Sequence, residues 1–304
     1  MGSFWDTLGG RLADRWLSVC GTALIFEAGG VLVWARSHGG LHALEARADR
    51  FAAHPASGQL LAVALVVIVT AAVGLVVERT TLPALRLLEG YWPDFCAPLR
   101  DRLAKRFEDR EAALWNRFEE IADAVHDGSA DSGQRAEYAH LTHTARRLPG
   151  PGRHLPTRVG NILRAAEARP YDRYGLDTVS IWPHLWLLLP ETTRQELTAS
   201  RAALDRAVAA VVWGTAFLGF GVWTPWALLP GAAVAILAGA LWVPARAGIY
   251  ADMVSAAFDL HRELLYAQLR WPLPQNPAQE RTMGARLSTY LVRGLSDSTP
   301  TFTP

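Results

Sequence analysis

Cysteine, lysine and charge are all scarce in these 304 residues, and each shortage excludes something. Two cysteines, Cys20 and Cys96, make neither a disulfide framework nor a zinc site by themselves, so a small stapled secreted domain is excluded. Lysine occurs once, at Lys105, and the other 29 of the 30 basic residues are arginine. That bias reflects Ala- and Arg-rich coding, so a lone arginine is weak evidence for guanidinium chemistry. Charged residues make up 19%, where a soluble domain carries about a quarter. With a net charge of +1 nothing argues for electrostatic steering, and no nucleic-acid partner is expected. Catalytic signatures are missing too: there is no Gly-x-Ser-x-Gly elbow, no Gly-x-x-x-x-Gly-Lys loop, no His-Glu-x-x-His and no Cys-x-x-Cys. His261-Arg262-Glu263 lacks the second histidine of a zinc motif. The chain therefore reads as a protein without enzymatic activity, cofactor or metal.

What is abundant is apolar sequence, half of all residues. A stretch of about 18 or more apolar residues is long enough to cross the hydrocarbon core of a bilayer. Residues 16–35 form one such stretch, interrupted only by Glu27, and residues 60–77 form a second with no charge. Residues 207–245 are 39 positions without a charge, too many for one span and right for two joined at Thr224-Pro225, where proline ends the preceding helix. Trp16 and Trp34 bracket the first span, and Trp226 and Trp242 the last, as amphipathic rings do at headgroup level. The first span is too long for a signal peptide and lacks a cleavage site, and Asp6 breaks the myristoylation pattern after Met1-Gly2-Ser3.

Arginines set the orientation. Arg11, Arg15, Arg79, Arg86, Arg194, Arg201, Arg206, Arg246 and Arg262 flank one side, against Arg36, Arg47 and Arg50 on the other. Both termini and the central segment are expected in the cytoplasm, with the Ser37 to Gly58 loop outside. The expected architecture is an all-α membrane protein with four transmembrane helices, in two hairpins separated by a cytoplasmic helical domain. Its parts are an N-terminal segment (1–15), a first hairpin (16–78), the helical domain (79–205), a second hairpin (206–246), and a C-terminal amphipathic helix with a disordered tail (247–304).

Within the helical domain, Leu85, Leu88, Tyr91 and Trp92 between Pro83 and Pro93 suit a short interfacial helix. Leu99, Leu103, Phe107, Leu114, Phe118, Ile121 and Val125 recur every three or four residues and predict an amphipathic helix of about 30 residues. Its run Glu108-Asp109-Arg110-Glu111 reads as a solvated face. His140 and His143, at i and i+3, lack the further ligands a metal needs. Thr157 is placed to cap a helix carrying Ile162, Leu163 and Ala166 inward, and Gly160 permits close packing. Arg164 and Glu167 can pair, and Arg158, Arg164, Glu167, Arg173 and Asp177 make a possible anion site or polar cluster. After Pro190 a helix over 192–205 is expected to run unbroken into the third span, coupling domain and membrane. From Ile249 to Leu269 an apolar stripe predicts one helix ending before Pro272, and a short helix follows near Arg281 to Arg293.

The strings PTRVGNILRAAE, RYGLDTVSIWPHLWLLLPE, RWPLPQNP and STYLVRG, in that order around paired spans, resemble a widespread family of actinobacterial multi-pass membrane proteins. The resemblance implies four spans in the bacterial inner membrane and carries no activity or functional residues.

Glu27 is the one ionisable residue deep in a span, and such a carboxylate is by default a functional candidate. It can hydrogen-bond between helices, to Thr22, Thr70, Thr215 or an indole, or it can line a cation-favouring path in a ring of subunits. Gly214, Ala227, Gly231, Ala235 and Gly239 form small faces that allow close helix packing within or between chains. The leading expectation is a homo-oligomeric inner-membrane ion channel or pore, gated through the helical domain. Its layout resembles that of bestrophin-like anion channels in topology alone. The alternative is a non-conducting membrane scaffold or signalling subunit that recruits a cytoplasmic partner. A ring of four or more subunits favours the first. A carboxylate of Glu27 set against Thr70 within one chain favours the second.

Overall fold

The structure, a computed structural model, describes residues 21–294, and every regular element among them is helical. In chain order these are α1 (21–37), α2 (Leu41–Ala52), α3 (Ala56–Glu89), α4 (Ala97–His126), α5 (Ser132–Ala145), α6 (Arg158–Tyr174), α7 (Thr178–Leu188), α8 (Glu191–Phe217), α9 (Leu228–Leu237), α10 (Val243–His261), α11 (Glu263–Gln268) and α12 (Pro277–Arg293). Three helical stretches among the described residues are long and apolar enough to cross a membrane: Ala56–His126, whose apolar part lies in α3, Glu191–Val222, and Pro225–His261. The start of the expected first span and the expected tail after Ser296 lie outside the described residues.

Contacts divide the chain into two units, Met1–Leu85 with Asp205–Trp242, and Arg86–Leu204 with Val243–Pro304. The first is apolar on its surface: Leu60, Leu61 and Ile68 are 71%, 72% and 64% exposed, as side chains facing lipid are. Small residues and rings hold it together. Gly29 and Gly30 of α1 back onto Phe217 and Phe220, and the Phe26 ring lies 4.9 Å from that of Trp213. A Cβ on Gly214 would come within 2.6 Å of the Ala235 backbone nitrogen and 2.9 Å of the Gly231 carbonyl, so α8 and α9 touch backbone to backbone. Ala227 is buried, whereas Gly239 meets only Val211 at an ordinary 3.8 Å. The small-residue face thus packs within one chain over Gly214, Gly231 and Ala235.

Thr224 is extended, between 3-10 turns at Leu218–Val222 and Pro225–Ala227, which is where the two apolar stretches were expected to part. A π-type turn at Ala238–Trp242 precedes Pro244, which has no N–H to offer the Ala240 carbonyl.

In the second unit, Leu176, Ile181, Leu185, Phe258, Leu265, Tyr266, Trp271 and Leu287 form a closed core between α7, α10, α11 and α12. The apolar stripe after the last apolar stretch finds part of its cover here, through Val254, Phe258 and Leu265, while Ile249, Met253 and Leu260 stay exposed. α6 opens on Thr157, whose hydroxyl accepts from the Gly160 N–H at 3.0 Å, and Gly160 lies against the Glu89 carbonyl, where a Cβ would clash. At its other end Gly175 is left-handed (φ +71) and meets Gly284 of α12 so closely that neither has room for a side chain. Ser288 accepts from the Asp177 N–H at 2.9 Å and ties the same helix to the start of α7.

Four expectations change. Pro83 does not end a helix: α3 runs through it to Glu89, because the exposed ring removes one hydrogen bond while Thr81 and Leu85 stay buried. No separate interfacial helix exists between Pro83 and Pro93; Trp92 instead donates to the Leu87 carbonyl at 2.8 Å beyond the helix end. The Ser37 to Gly58 loop contains α2, set by the left-handed Gly39 and Gly40 and by Arg47, whose guanidinium lies 4.1 Å over the Trp34 ring. The C-terminal stripe is not one helix but two, broken at Arg262 and closed by Arg270 with φ +56.

Candidate functional site

In the apolar unit the Thr70 hydroxyl, 3% exposed, donates to Glu27 Oε2 at 2.6 Å and joins α1 to α3. Glu27 Oε1 is buried without a hydrogen-bond partner among the described residues. The Thr215 hydroxyl donates to the Val211 carbonyl of its own helix at 2.8 Å. An apolar hollow of about 300 Å³ lies between α1, α8 and α9, lined by Phe26, Trp213, Phe217 and Val234.

The five residues of the expected polar cluster are not brought together. At 100° per residue, Arg164 and Arg173 point to opposite sides of α6. Arg158 is exposed, and Arg164 pairs with Glu167 at 3.0 Å. Arg173 reaches Asp259 of α10 at 3.5 Å, beside the Tyr174 hydroxyl, which donates to the same carboxylate at 2.6 Å. Burial, and then that carboxylate, pushes the Tyr174 phenol above its ordinary pKa. Asp177 caps α7 through the Ser180 N–H at 3.1 Å. His140 and His143 are exposed, and no group of three or more His, Cys, Asp or Glu among the described residues can hold a metal ion.

The larger concave feature is a cleft of about 740 Å³ in the second unit, between α4, the end of α5, the Leu148-Pro149-Gly150-Pro151 turn and α6. Its wall on α4 carries Glu111, Trp115 and Phe118, which sit at i, i+4 and i+7 and so share a face. Its wall on α6 carries Ala165, Ala168, Arg169, Asp172 and Arg173, again one face. Glu111 is 4% exposed and does not belong to a solvated run. Its Oε1 accepts from the Trp115 indole at 3.0 Å, and its Oε2 lies 2.5 Å from Nε2 of the equally buried His154. The close approach is off the hydrogen-bond direction, and neither ring nitrogen of His154 has a hydrogen-bond partner among the described residues.

Local chemistry places His154. Asn161 accepts from the Leu155 N–H at 2.7 Å and donates to its carbonyl at 3.0 Å, and the Gly152 N–H donates to Glu108 at 3.1 Å, so both sides of the histidine are tied down. Arg169 donates to the Ser255 hydroxyl at 3.0 Å and to the Arg146 carbonyl. Burial first, and then the Arg173 charge, hold this guanidinium below its ordinary pKa. Asp172 is held by a two-pronged bond from Arg153, at 3.0 and 2.9 Å.

Glu111, Trp115, His154, Arg146 and Arg169 escaped the sequence reading. For Glu111 a signal existed: it falls four residues after Phe107 and three before Leu114, in phase with the apolar stripe. For His154 there was none, since its partner is 43 residues away.

Compared with protein-family models, curated proteins and solved structures, the chain matches none, so the chemistry of these sites carries the functional argument.

Proposed function

We propose that this protein is a non-conducting membrane subunit, of scaffold or signalling type, whose second helical unit is the working part. It resides in a bacterial inner membrane with that unit in the cytoplasm. The observation that carries this is the bond from Thr70 to Glu27: the one carboxylate inside an apolar stretch is engaged by a neighbouring helix of the same chain. The small-residue face is likewise used up within the chain at Gly214 and Gly231. The arginine distribution supports the orientation.

A conducting oligomer, gated through the second unit, is the second reading. The buried Glu27 Oε1 without a partner favours it, since a carboxylate oxygen needs a donor or water. Ion flux into proteoliposomes decides between them. Vesicles carrying the protein stay tight, and Glu27→Gln changes nothing; a flux that Glu27→Gln alters overturns the proposal. Subunit counting in detergent gives a monomer or dimer on the first reading and a ring of four or more on the second. In a Cys20→Ser variant, maleimide applied to spheroplasts leaves the free thiol of Cys96 unlabelled until the membrane is opened.

A further inference from the structure

The cleft between α4 and α6 has a division of labour that a purely structural gap does not need. On one side stand Arg146, Arg169 and Arg173. Arg169 uses two donors on Ser255 and the Arg146 carbonyl, and a guanidinium has five. The nearby acids are engaged: Asp172 by Arg153, Asp252 by Arg147 at 3.5 Å, and Asp259 by the Tyr174 hydroxyl at 2.6 Å, with one Arg173 nitrogen at the outer limit of hydrogen-bond distance, 3.5 Å. An anion beside Arg169 offsets the cost of holding a partly buried charge next to Arg173, adding to the pull of Asp252 and Asp259.

On the other side stands Trp115, 38% exposed yet fixed in orientation by its indole bond to a carboxylate that is itself buried against His154. A buried carboxylate is weak evidence for stability. Here it orients an aromatic face that is open to solvent. Phe118 meets the Trp115 ring edge-on with centroids 5.5 Å apart and extends the apolar wall, with Leu148 and Pro149 at its margin. The volume of about 740 Å³ lies within the range of small-molecule sites, about 300–1,000 Å³.

We propose that this cleft binds a small organic anion with an apolar body, its carboxylate on Arg169 and Arg173 and its body against Trp115. Glu111 is then a positioning residue, acting through the indole. The site stands whether or not the apolar unit conducts ions, because its residues all belong to the second unit.

The test is calorimetric titration of the full-length protein in nanodiscs, with empty nanodiscs as the blank. The probes are 2-naphthoate, its neutral analogue 2-naphthamide, octanoate and inorganic phosphate. 2-Naphthoate binds saturably, and 2-naphthamide binds at least about tenfold more weakly, the loss expected for one charge-assisted contact. Arg173→Gln, an exposed substitution, lowers naphthoate affinity by a similar factor, and Trp115→Leu lowers it while leaving the advantage over the amide. Octanoate binding in place of naphthoate still supports the site and assigns it to acyl chains. Equal binding of acid and amide, no saturable binding of any probe to the intact protein, or phosphate binding as tightly as naphthoate overturns the proposal. The acid-against-amide comparison is made on the unsubstituted protein, so it holds even where a variant fails to fold.

Discussion

Glu27 and Glu111 pose the same problem in the two units, a carboxylate withdrawn from water, and the chain answers it differently. Glu27 takes one hydroxyl bond from Thr70, and its other oxygen is buried without a partner among the described residues. Glu111 takes an indole N–H on one oxygen and sets the other against an imidazole. The first arrangement fastens one helix to another. The second sets a buried imidazole beside a carboxylate that holds a partly exposed tryptophan at one wall of a cleft. The first carboxylate thus joins two helices, and the second orients a side chain at the cleft.

The sharpest way to break this comparison is to remove each carboxylate. Glu111→Ala strands a buried histidine and an indole donor and should cost about 3 kcal/mol or more in unfolding free energy. Glu27→Ala should cost about 1–2 kcal/mol, the loss of one hydrogen bond with a hydroxyl left behind. Glu27→Gln keeps an acceptor for Thr70 and should stay below about 1 kcal/mol. Thermal or denaturant unfolding in detergent measures all three, and similar losses for Glu27→Gln and Glu111→Ala would erase the distinction.

Smaller effects sharpen it through pH. Glu89, at the end of α3, is held above its ordinary pKa chiefly by burial, against the pull of Arg201 and Arg86 and with a push from Glu167. An acid with a raised folded-state pKa contributes stability at low pH and loses it as pH rises through that value. Glu89→Gln should therefore raise the melting temperature near neutrality by about a degree and leave it unchanged near pH 4. Glu137 behaves oppositely. Its hydrogen bond from Arg117 holds it below the ordinary value, so its contribution is present near neutrality and fades as the pH falls. The pair lies at the surface, so Glu137→Gln should give the smallest change, confined to the neutral and alkaline limb of a stability-against-pH curve and weakened by salt.

Much of the helical layout was legible because it is governed by neighbours in sequence. The 30 residues of α4 follow from the recurrence of Leu99 to Val125, the start of α6 from Thr157, and the break at Thr224-Pro225 from proline. Pro83 misled for the same reason: its local penalty is real but is outweighed by the burial of Thr81 and Leu85 on either side. The cleft was hidden. Glu111 sits inside a charged run that masks its helical phase, and His154 lies between Pro-Gly breaks where no periodicity exists. Arg169 and Arg173 share a face at i and i+4, but among 29 arginines that spacing carries no weight. The bond between Glu27 and Thr70 was one of several partners named from composition, and only packing selects among them.

The contact of Gly175 with Gly284 bears on how the chain is made. The core of the second unit draws on Leu176, Ile181 and Leu185 from before the 205–242 stretch and on Phe258, Leu265 and Leu287 from after it. A nascent chain therefore carries α6 and α7 with their apolar sides uncovered while the ribosome synthesises the intervening segment, and the unit closes only when translation has passed Arg293. Those faces stay uncovered in the meantime, and a chain cut before Asn276 would never bury them.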